Sequence, residues 1–123
     1  MVILVKDHEE AVAFYTKKLG FEVYADIHAG QRRHVHVCFP NQPEVGIWLM
    51  KAESADQADR IGRQTPGQPC AVLYSESLGH DYGELVSRGV EFTRGPKEEA
   101  GVRFAHFVDL YGNEFVLVEL EEG

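Results

Sequence analysis

The chain has 123 residues, the size of one domain, and 44% of them are hydrophobic, which is enough for a substantial core. Its 20 acidic and 12 basic side chains give a net charge of −8, which argues against nucleic acid and anionic membranes as partners. No apolar run approaches the ~18 residues of a membrane span. Two cysteines do not make a disulfide framework, and Lys6 and Asp7 interrupt the first apolar run, so we expect no secretory signal and a cytoplasmic protein.

The first half of the chain is predicted to form a strand, a helix and three more strands. Residues 2–5 are a short apolar run, and Asp7 followed three residues later by Glu10 is typical of a capping box at a helix start. Apolar residues then recur at helical spacing until Gly20, where the helix is expected to end. Three further strands are predicted at 21–28, 31–39 and 45–50, with turns at 29–30 and 40–43.

The second half repeats this order after a polar stretch at residues 51–69. A strand is predicted at residues 70–74. The helix that follows is expected to end at Gly89 and is marked by apolar residues at helical spacing, which are Leu78, Tyr82, Leu85 and Val86. The last three strands are predicted at 90–93, 102–109 and 114–120.

An internal repeat relates the two halves. Residues 5–23 (VKDHEEAVAFYTKKLGFEV) have a faint second copy at residues 74–92 (YSESLGHDYGELVSRGVEF). Each copy passes from a strand end through a helix and a glycine into a new strand. The repeat predicts a single domain, 1–123, made of two pseudo-symmetric halves, 1–53 and 70–123, joined by a polar linker, 54–69. Any ligand site is then expected in the cleft that the two halves form together.

Two segments carry a resemblance to a known family: AVAFYTKKLGFEV at 11–23 and FVDLYGNEFVLVE at 107–119, with the polar stretch between them. On these motifs the whole chain resembles the vicinal oxygen chelate superfamily, which contains glyoxalase I, bleomycin-resistance proteins, extradiol dioxygenases and fosfomycin-resistance enzymes. The resemblance implies an α+β fold of two βαβββ modules, the glyoxalase/bleomycin resistance/dioxygenase-like fold, whose sheets enclose a shared cavity. It also implies a homodimer.

The resemblance further implies where a metal ion would bind. In metal-using members, His or Glu side chains on the first and last strands of each half hold a divalent ion. The matching positions here fall at or just before Met1 and at Trp48, Cys70 and Val116. None is His or Glu, so we expect the usual metal site to be absent and the protein to carry no cofactor. The chain thus resembles the members that bind a ligand without metal, as bleomycin-resistance proteins do.

Strand alternation predicts which side chains line the cavity. If the valines at 35 and 37 face the core, then His34, His36 and Cys38 face the cavity, and His106 lies seventy residues after His36 in the equivalent strand. The predicted ligand-binding set is rich in aromatic and imidazole groups and comprises Trp48, His36, His106, His34, Tyr74, Met50, Phe104 and Arg32. Such a lining suits a planar or aromatic ligand with an acidic group that an arginine would hold.

Simpler interpretations compete at several of these positions. Trp48 is equally compatible with core packing, and Arg32 or Arg103 with ordinary surface charge. Alternating polar residues such as His34 and His36 are also typical of a solvated strand face. Cys70 fits a small buried side chain better than a nucleophile.

Three functions therefore remain open from the sequence. We favour a glyoxalase/bleomycin-resistance-like protein that binds a small aromatic or acidic molecule without metal. The second is an enzyme, in which His34, His36 and His106 act as relocated ligands of a metal-dependent lyase, isomerase or dioxygenase, or a histidine acts as general acid or base. The third is a structural or partner-binding dimer. No catalytic residue is assigned.

Overall fold

The computed structural model describes residues 1–30, 32–39, 45–65 and 67–120. The chain divides into two compact units, Met1–Gln64 and Thr65–Gly123. The boundary between them falls inside the segment 54–69, which the sequence analysis assigned to the linker. That the two halves form one domain stays a prediction.

The first unit is a four-stranded sheet with a helix between its first two strands. The elements of this unit are β1 (Val2–Val5), α1 (His8–Ala13), β2 (Glu22–Ala29), β3 (Arg32–Cys38), β4 (Gly46–Lys51) and α2 (Ala55–Asp59). The strand order in the sheet is β1-β4-β3-β2, in which β1 and β4 are parallel and the other neighbours are antiparallel. The first helix, α1, continues directly into one π-helical turn at Phe14–Lys18.

The second unit repeats the topology of the first. Its elements are β5 (Ala71–Ser75), α3 (Leu78–Ser87), β6 (Glu91–Glu99), β7 (Val102–Val108) and β8 (Glu114–Glu119). The strand order in the sheet is β5-β8-β7-β6, again with one parallel pair, β5 and β8. The predicted α+β fold of two βαβββ modules is confirmed.

The hydrogen-bond register shows how closely the two sheets correspond. In the first sheet His36 on β3 pairs with Trp48 on β4, and in the second His106 on β7 pairs with Val116 on β8. On the edge strands, Val2 pairs with Trp48 and Val72 with Val116. Residues at matching registers of the two halves can therefore be compared directly.

The start of α1 is formed by the residue that the sequence analysis assigned to it. Asp7 has extended backbone angles, and its Oδ2 accepts a hydrogen bond of 2.9 Å from the Glu10 N–H. This bond satisfies one of the N–H groups that lack a partner within the helix. After the π-helical turn the chain leaves at Gly20, whose φ of 76° favours glycine. Phe21 N–H then donates to the Tyr15 carbonyl.

Each sheet packs one of its faces against its helices. In the first unit the fully buried face contains Ile3, Val5, Val35, Val37, Ile47 and Leu49. In the second it contains Ala105, Phe107, Phe115 and Leu117, and Leu78 and Leu85 of α3 are buried as well. Phe107 and Phe115 stack with their ring centres 5.2 Å apart. Because side chains alternate along a strand, the residues between these core positions lie on the opposite face.

The strand β6 is longer than predicted. It was expected at residues 90–93, yet it extends from Glu91 to Glu99, although Gly95 and Pro96 are poor strand residues. Its partner β7 offers backbone groups along this length, and two register shifts, between Phe92 and Arg94 and between Arg94 and Lys97, accommodate the irregular residues. β6 is an edge strand, where a proline without an N–H is tolerated.

The segment predicted as a polar connection is partly helical. Ser54 Oγ accepts a hydrogen bond of 3.1 Å from the Gln57 N–H and begins α2. Further along, the Gln64 side chain accepts from Leu4 N at 2.7 Å and donates to the Val2 carbonyl at 3.1 Å. The connection thus satisfies backbone groups on the outer edge of β1, which would otherwise be open to pairing with another strand.

Two further sequence-based expectations concern turns and membranes. The predicted turn at 40–43 lies outside the described residues. Within residues 1–30, 32–39, 45–65 and 67–120, none of the helices has both the length and the apolar character required to cross a bilayer.

The turn between β7 and β8 is organised around a buried carboxylate. Asp109 is 5% exposed, and its Oδ1 accepts 2.9 Å hydrogen bonds from the backbone N–H groups of Tyr111 and Asn113. Its Oδ2 accepts from Asn113 Nδ2, also at 2.9 Å. Gly112, with φ of 93°, supplies the left-handed backbone. One side chain therefore satisfies three donors of the motif that carried the family resemblance.

Replacement of Asp109 by alanine should destabilise the protein. Asp109→Ala leaves buried donors without acceptors, so we expect a loss of about 3 kcal/mol in the free energy of unfolding, measured by urea denaturation. Asp56→Ala is the matched control, because its side chain is 82% exposed, and it should change the value by less than about 0.5 kcal/mol. Equal effects of the two substitutions would contradict this account of the turn.

Candidate ligand-binding site

The open face of the first sheet presents an aromatic and imidazole surface. Along β4, Ile47 and Leu49 are buried against the helix side, whereas Trp48 and Met50 are only partly buried. On β3, Val35 pairs with Leu49 and Val37 with Ile47. Paired residues share a face, so His36 and its partner Trp48 must lie on the other, open face.

Two histidines contact the indole ring of Trp48. His34 stacks on it, with ring centres 5.3 Å apart and planes inclined by 25°. His36 meets it edge-on at 6.2 Å and 73°. We call Trp48, His34 and His36 the Trp48 cluster. The Nε1–H of Trp48 is buried and has no hydrogen-bond partner among the described residues.

A cavity of about 290 Å³ opens beside the Trp48 cluster, and every residue that lines it belongs to the first unit. It lies at the end of the sheet where β3 begins and β4 ends. Trp48, His34, Met50 and Arg32, which the sequence analysis assigned to the ligand site, are among its lining residues. Six further lining residues were absent from the predicted set: His8, His28, Gly30, Arg33, Lys51 and Glu53.

The charged groups of the cavity are arranged in two sets. Arg33 Nε and Nη2 donate to both carboxylate oxygens of Asp26, at 2.9 and 2.7 Å, and Nη1 donates to Glu9. These bonds raise the pKa of Arg33 and, together with the arginine charge, lower the pKa of Asp26. Arg32 makes a single bond, from Nη2 to Glu53 Oε2 at 2.9 Å.

Glu53 lies in the field of two cations. Its pKa is lowered by the hydrogen bond from Arg32 and the charge of Arg32, and to a smaller extent by the charge of Lys51. Arg32 and Glu53 are about half exposed, at 50% and 52% of their side-chain surface. The carboxylate is therefore ionised and accessible to solvent at neutral pH.

His8 is a partly buried imidazole that lines the cavity. Its pKa is lowered, first by burial and then by the neighbouring charge of Arg33, against a smaller opposing contribution from a hydrogen bond with the backbone of Leu49. Its Nε2 is buried and has no partner within the described part of the chain. His8 is therefore neutral at physiological pH.

The remaining predicted site residues lie on the second sheet. The rings of His106 and Phe104 meet edge to face, with their centres 5.7 Å apart. The Nδ1 of His106 lies 3.1 Å from Glu114 Oε1. Tyr74 and Phe104 both pair with Val118, so the three residues form one row across the sheet. The sequence analysis named His106, Phe104 and Tyr74 but missed Glu114, the acceptor beside the histidine.

Lys51 and Glu53 could not have been found from strand alternation. Lys51 follows Met50 and by parity belongs to the helix side, and Glu53 lies beyond the end of β4 in the stretch interpreted as a connection. They reach the cavity because it lies at the end of the strand rather than over its middle. The sequence offered one signal for these residues, which is that two opposite charges, Lys51 and Glu53, lie at the end of β4 and just beyond it.

Both cysteines are poor nucleophiles. Burial, with smaller contributions from the charges of Asp109 and Glu114, raises the pKa of Cys70 to about 11. Cys38 is 3% exposed, and burial raises its pKa as well. Cys38 was expected on the cavity side of β3, and the register places it on the face of His36, but it is buried and does not line the cavity.

The chain is similar in sequence, in structure or in both to several known proteins. UcmS2, of known crystal structure, is 33% identical with a TM-score of 0.84, and the match covers 96% of this chain and 93% of that one. TnmS3, an antibiotic binding protein from Streptomyces sp. CB03234, is 24% identical with a TM-score of 0.76 over 98% and 93% of the two chains. An uncharacterized protein from Shewanella frigidimarina (strain NCIMB 400) is 32% identical over 99% of this chain and 92% of its own length.

Each of the two units contains a four-stranded sheet of the same strand order. The sequence profile of the Glyoxalase/Bleomycin resistance protein/Dioxygenase superfamily matches residues 1–117. The chain belongs to this superfamily.

The residues at the expected metal positions do not fit a divalent ion. The expected positions Trp48, Cys70 and Val116 offer neither His nor Glu, and the edge-strand partners of Trp48 and Val116 are Val2 and Val72, which offer none either. Over the described ranges, no three His, Cys, Asp or Glu side chains come together in a group able to hold a metal ion. Divalent ions in proteins need several such donors around one point. We therefore derive no chemistry through a metal ion.

Thiol reactivity tests the environment of the cysteines. A rise in pKa from 9.0 to about 11 lowers the thiolate fraction of Cys70 about a hundredfold at neutral pH. We expect iodoacetamide to modify Cys70 and Cys38 at least about tenfold more slowly in the native protein than in urea-unfolded protein, followed for each cysteine by peptide mass spectrometry. A native Cys70 that reacts as fast as the unfolded one would contradict its assignment as an inert, partly buried side chain.

Proposed function

We propose that this protein binds a small planar organic molecule on the open face of its first sheet, without a metal ion. The observation that carries the proposal is the Trp48 cluster beside a cavity of about 290 Å³. Flat aromatic surfaces held in position by neighbouring rings are favourable for stacking of planar ligands. The cavity volume is close to the lower end of the range for small-molecule sites, which begins at roughly 300 Å³.

The unpartnered N–H of Trp48 supports the same proposal. A buried donor without an acceptor destabilises a fold by about 1–3 kcal/mol, so such groups call for a specific explanation. An acceptor at the edge of a ligand would satisfy the Trp48 Nε1–H once a side-chain movement uncovers this buried atom. The cluster thus combines an apolar surface with one directional contact, as small-molecule sites commonly do.

Family relationships support an organic ligand in a general way. TnmS3, which shares the fold, is described as an antibiotic binding protein, and at 24% identity this likeness concerns the fold alone. Its relevance is that this architecture can accommodate an organic molecule. The chemical nature of the ligand of the present protein has to follow from its own residues.

The enzyme hypothesis receives less support from the residues. His34 and His36 each contact Trp48 with their rings, an arrangement that suits a stacking surface. His106, on the second sheet, contacts Glu114 and Phe104. The expectations of a cytoplasmic location and of a homodimer stay predictions.

Elemental analysis tests the absence of a metal cofactor. Protein purified without chelators and dialysed against metal-free buffer should contain only substoichiometric zinc, iron, nickel, manganese and copper, measured by inductively coupled plasma mass spectrometry. A retained transition metal at one ion per chain would overturn the metal-independent function and would favour the relocated-ligand hypothesis. His34→Ala and His36→Ala would then show whether these histidines hold the ion.

Binding of a neutral planar probe tests the Trp48 cluster. We expect 1-naphthamide to bind and to shift the indole N–H resonance of Trp48, which is the only tryptophan and gives the only such signal. Trp48→Leu should weaken binding about tenfold, and His36→Ala by a smaller factor, because stacking partners are lost. Affinities are measured by equilibrium dialysis, which does not require the indole signal that Trp48→Leu removes.

The control for Trp48→Leu is Tyr24→Leu. Tyr24 is an aromatic residue of the same sheet, 69% exposed and absent from the cavity lining. The substitution Tyr24→Leu should leave the affinity for 1-naphthamide unchanged. If Trp48→Leu binds as tightly as Tyr24→Leu, the ligand does not bind at the cluster and the proposal fails.

A further inference from the structure

Two cationic side chains, Arg32 and Lys51, and the carboxylate of Glu53 lie together in the lining of the cavity. Arg32 on β3 and Lys51 at the end of β4 both act on the Glu53 carboxylate, the first through a hydrogen bond of 2.9 Å and the second through its charge. All three residues line the cavity that also contains Trp48 and His34. The Glu53 carboxylate, hydrogen-bonded to Arg32, therefore already lies in the cavity that Lys51 also lines, beside the aromatic cluster.

Glu53 is not firmly committed to this position. Its ion pair with Arg32 is about half exposed on both sides, and exposed ion pairs contribute little to stability. The backbone of Glu53 is held separately, because its N–H donates to Gln57 Oε1 at 2.9 Å. The carboxylate can therefore rotate into solvent without disturbing the chain, and Arg32 and Lys51 would remain in place.

The neighbouring arginine shows a contrasting arrangement. Arg33 makes three hydrogen bonds to two carboxylates, Asp26 and Glu9, neither of which lines the cavity. Three of its five N–H donors hold β3, β2 and α1 together, although Arg33 also lines the cavity. Arg32 has one charged partner in the described part of the chain, and Lys51 makes no ion pair within 4 Å there. Among the arginine and lysine residues that line the cavity, Arg32 and Lys51 therefore have the fewest carboxylate contacts.

Overall charge makes this local pair necessary for an anionic ligand. The chain carries a net charge of −8, so an acid approaching at random meets repulsion. A planar acid stacked on the Trp48 cluster could reach cations in the same cavity, where charge-assisted hydrogen bonds are about twice as strong as neutral ones. The cavity thus combines a stacking surface with an acid-binding end.

We propose that Arg32 and Lys51 form an acid-binding subsite, that Glu53 occupies it as an internal competitor, and that the ligand is a planar molecule bearing a carboxylate or a similar anionic group. This inference rests on the proposed function, because it assumes stacking on the Trp48 cluster. It adds a ligand class, assigns Lys51 to the site, and gives Glu53 the role of setting the affinity. An acid that displaces Glu53 gains two cations and releases one exposed ion pair.

The test compares two probes that differ only in charge. 1-Naphthoate and 1-naphthamide have the same ring and nearly the same shape, and both are titrated at pH 7.5 and low ionic strength by equilibrium dialysis, with the Trp48 indole resonance as the marker of location. We expect 1-naphthoate to bind about fivefold more tightly than 1-naphthamide. Added salt should reduce this difference, since one of the two complexes depends on charge.

Two substitutions separate the roles of the charged residues. Glu53→Gln removes the internal competitor and should tighten 1-naphthoate binding about fivefold while leaving 1-naphthamide unchanged. Lys51→Met should remove most of the preference for 1-naphthoate. The matched controls are Glu76→Gln and Lys17→Met, which change the net charge by the same amounts at exposed positions outside the cavity and should leave the preference as it is.

Each possible result decides the question. Equal binding of both probes at Trp48 overturns the acid-binding subsite but leaves the proposed function standing. A preference for 1-naphthoate that Glu53→Gln or Lys51→Met does not change, or that the controls change equally, also overturns it. If neither probe shifts the indole resonance, the proposed function and this inference both fail.

Discussion

The candidate site depends on the one-sided packing of the first sheet. Ile47 and Leu49 are buried on the side of the helices, and each such side chain contributes about 1.5–3 kcal/mol through burial. Because side chains alternate, this burial forces Trp48 onto the open face. A slip of one residue in β4 would turn Trp48 into the core and expose Leu49. The register of β4 with β1 and β3 therefore holds the Trp48 cluster in place.

The charges of the first unit show how similar residues acquire different roles. Arg32 and Arg33 are adjacent on one strand and so point to opposite faces. Arg33 is held by a bidentate contact with Asp26 and by Glu9, an arrangement that joins three elements. Arg32 has a single exposed contact with Glu53 and lies beside the aromatic cluster. Both arginines line the cavity, and what distinguishes them is that Arg33 contacts two carboxylates whereas Arg32 contacts one.

The two halves share a topology but not a chemistry. His36 and His106 occupy matching registers, yet His36 adjoins Trp48 whereas His106 adjoins Val116 and contacts Glu114. The edge-strand positions of both open faces carry apolar side chains. Membership of the superfamily thus establishes the architecture, while the function has to be argued from the side chains on each face.

Much of this organisation was determined by the sequence. The repeat, Asp7 and Gly20, and the alternation around Trp48 predicted the element order and the face that carries the cluster, because these features depend on neighbours within a few residues. The tertiary structure decided the rest. β6 extends to Glu99 because β7 supplies a pairing partner, and Lys51 and Glu53 meet Arg32 because two strand ends converge. Such contacts join residues far apart in the chain, and no local pattern encodes them.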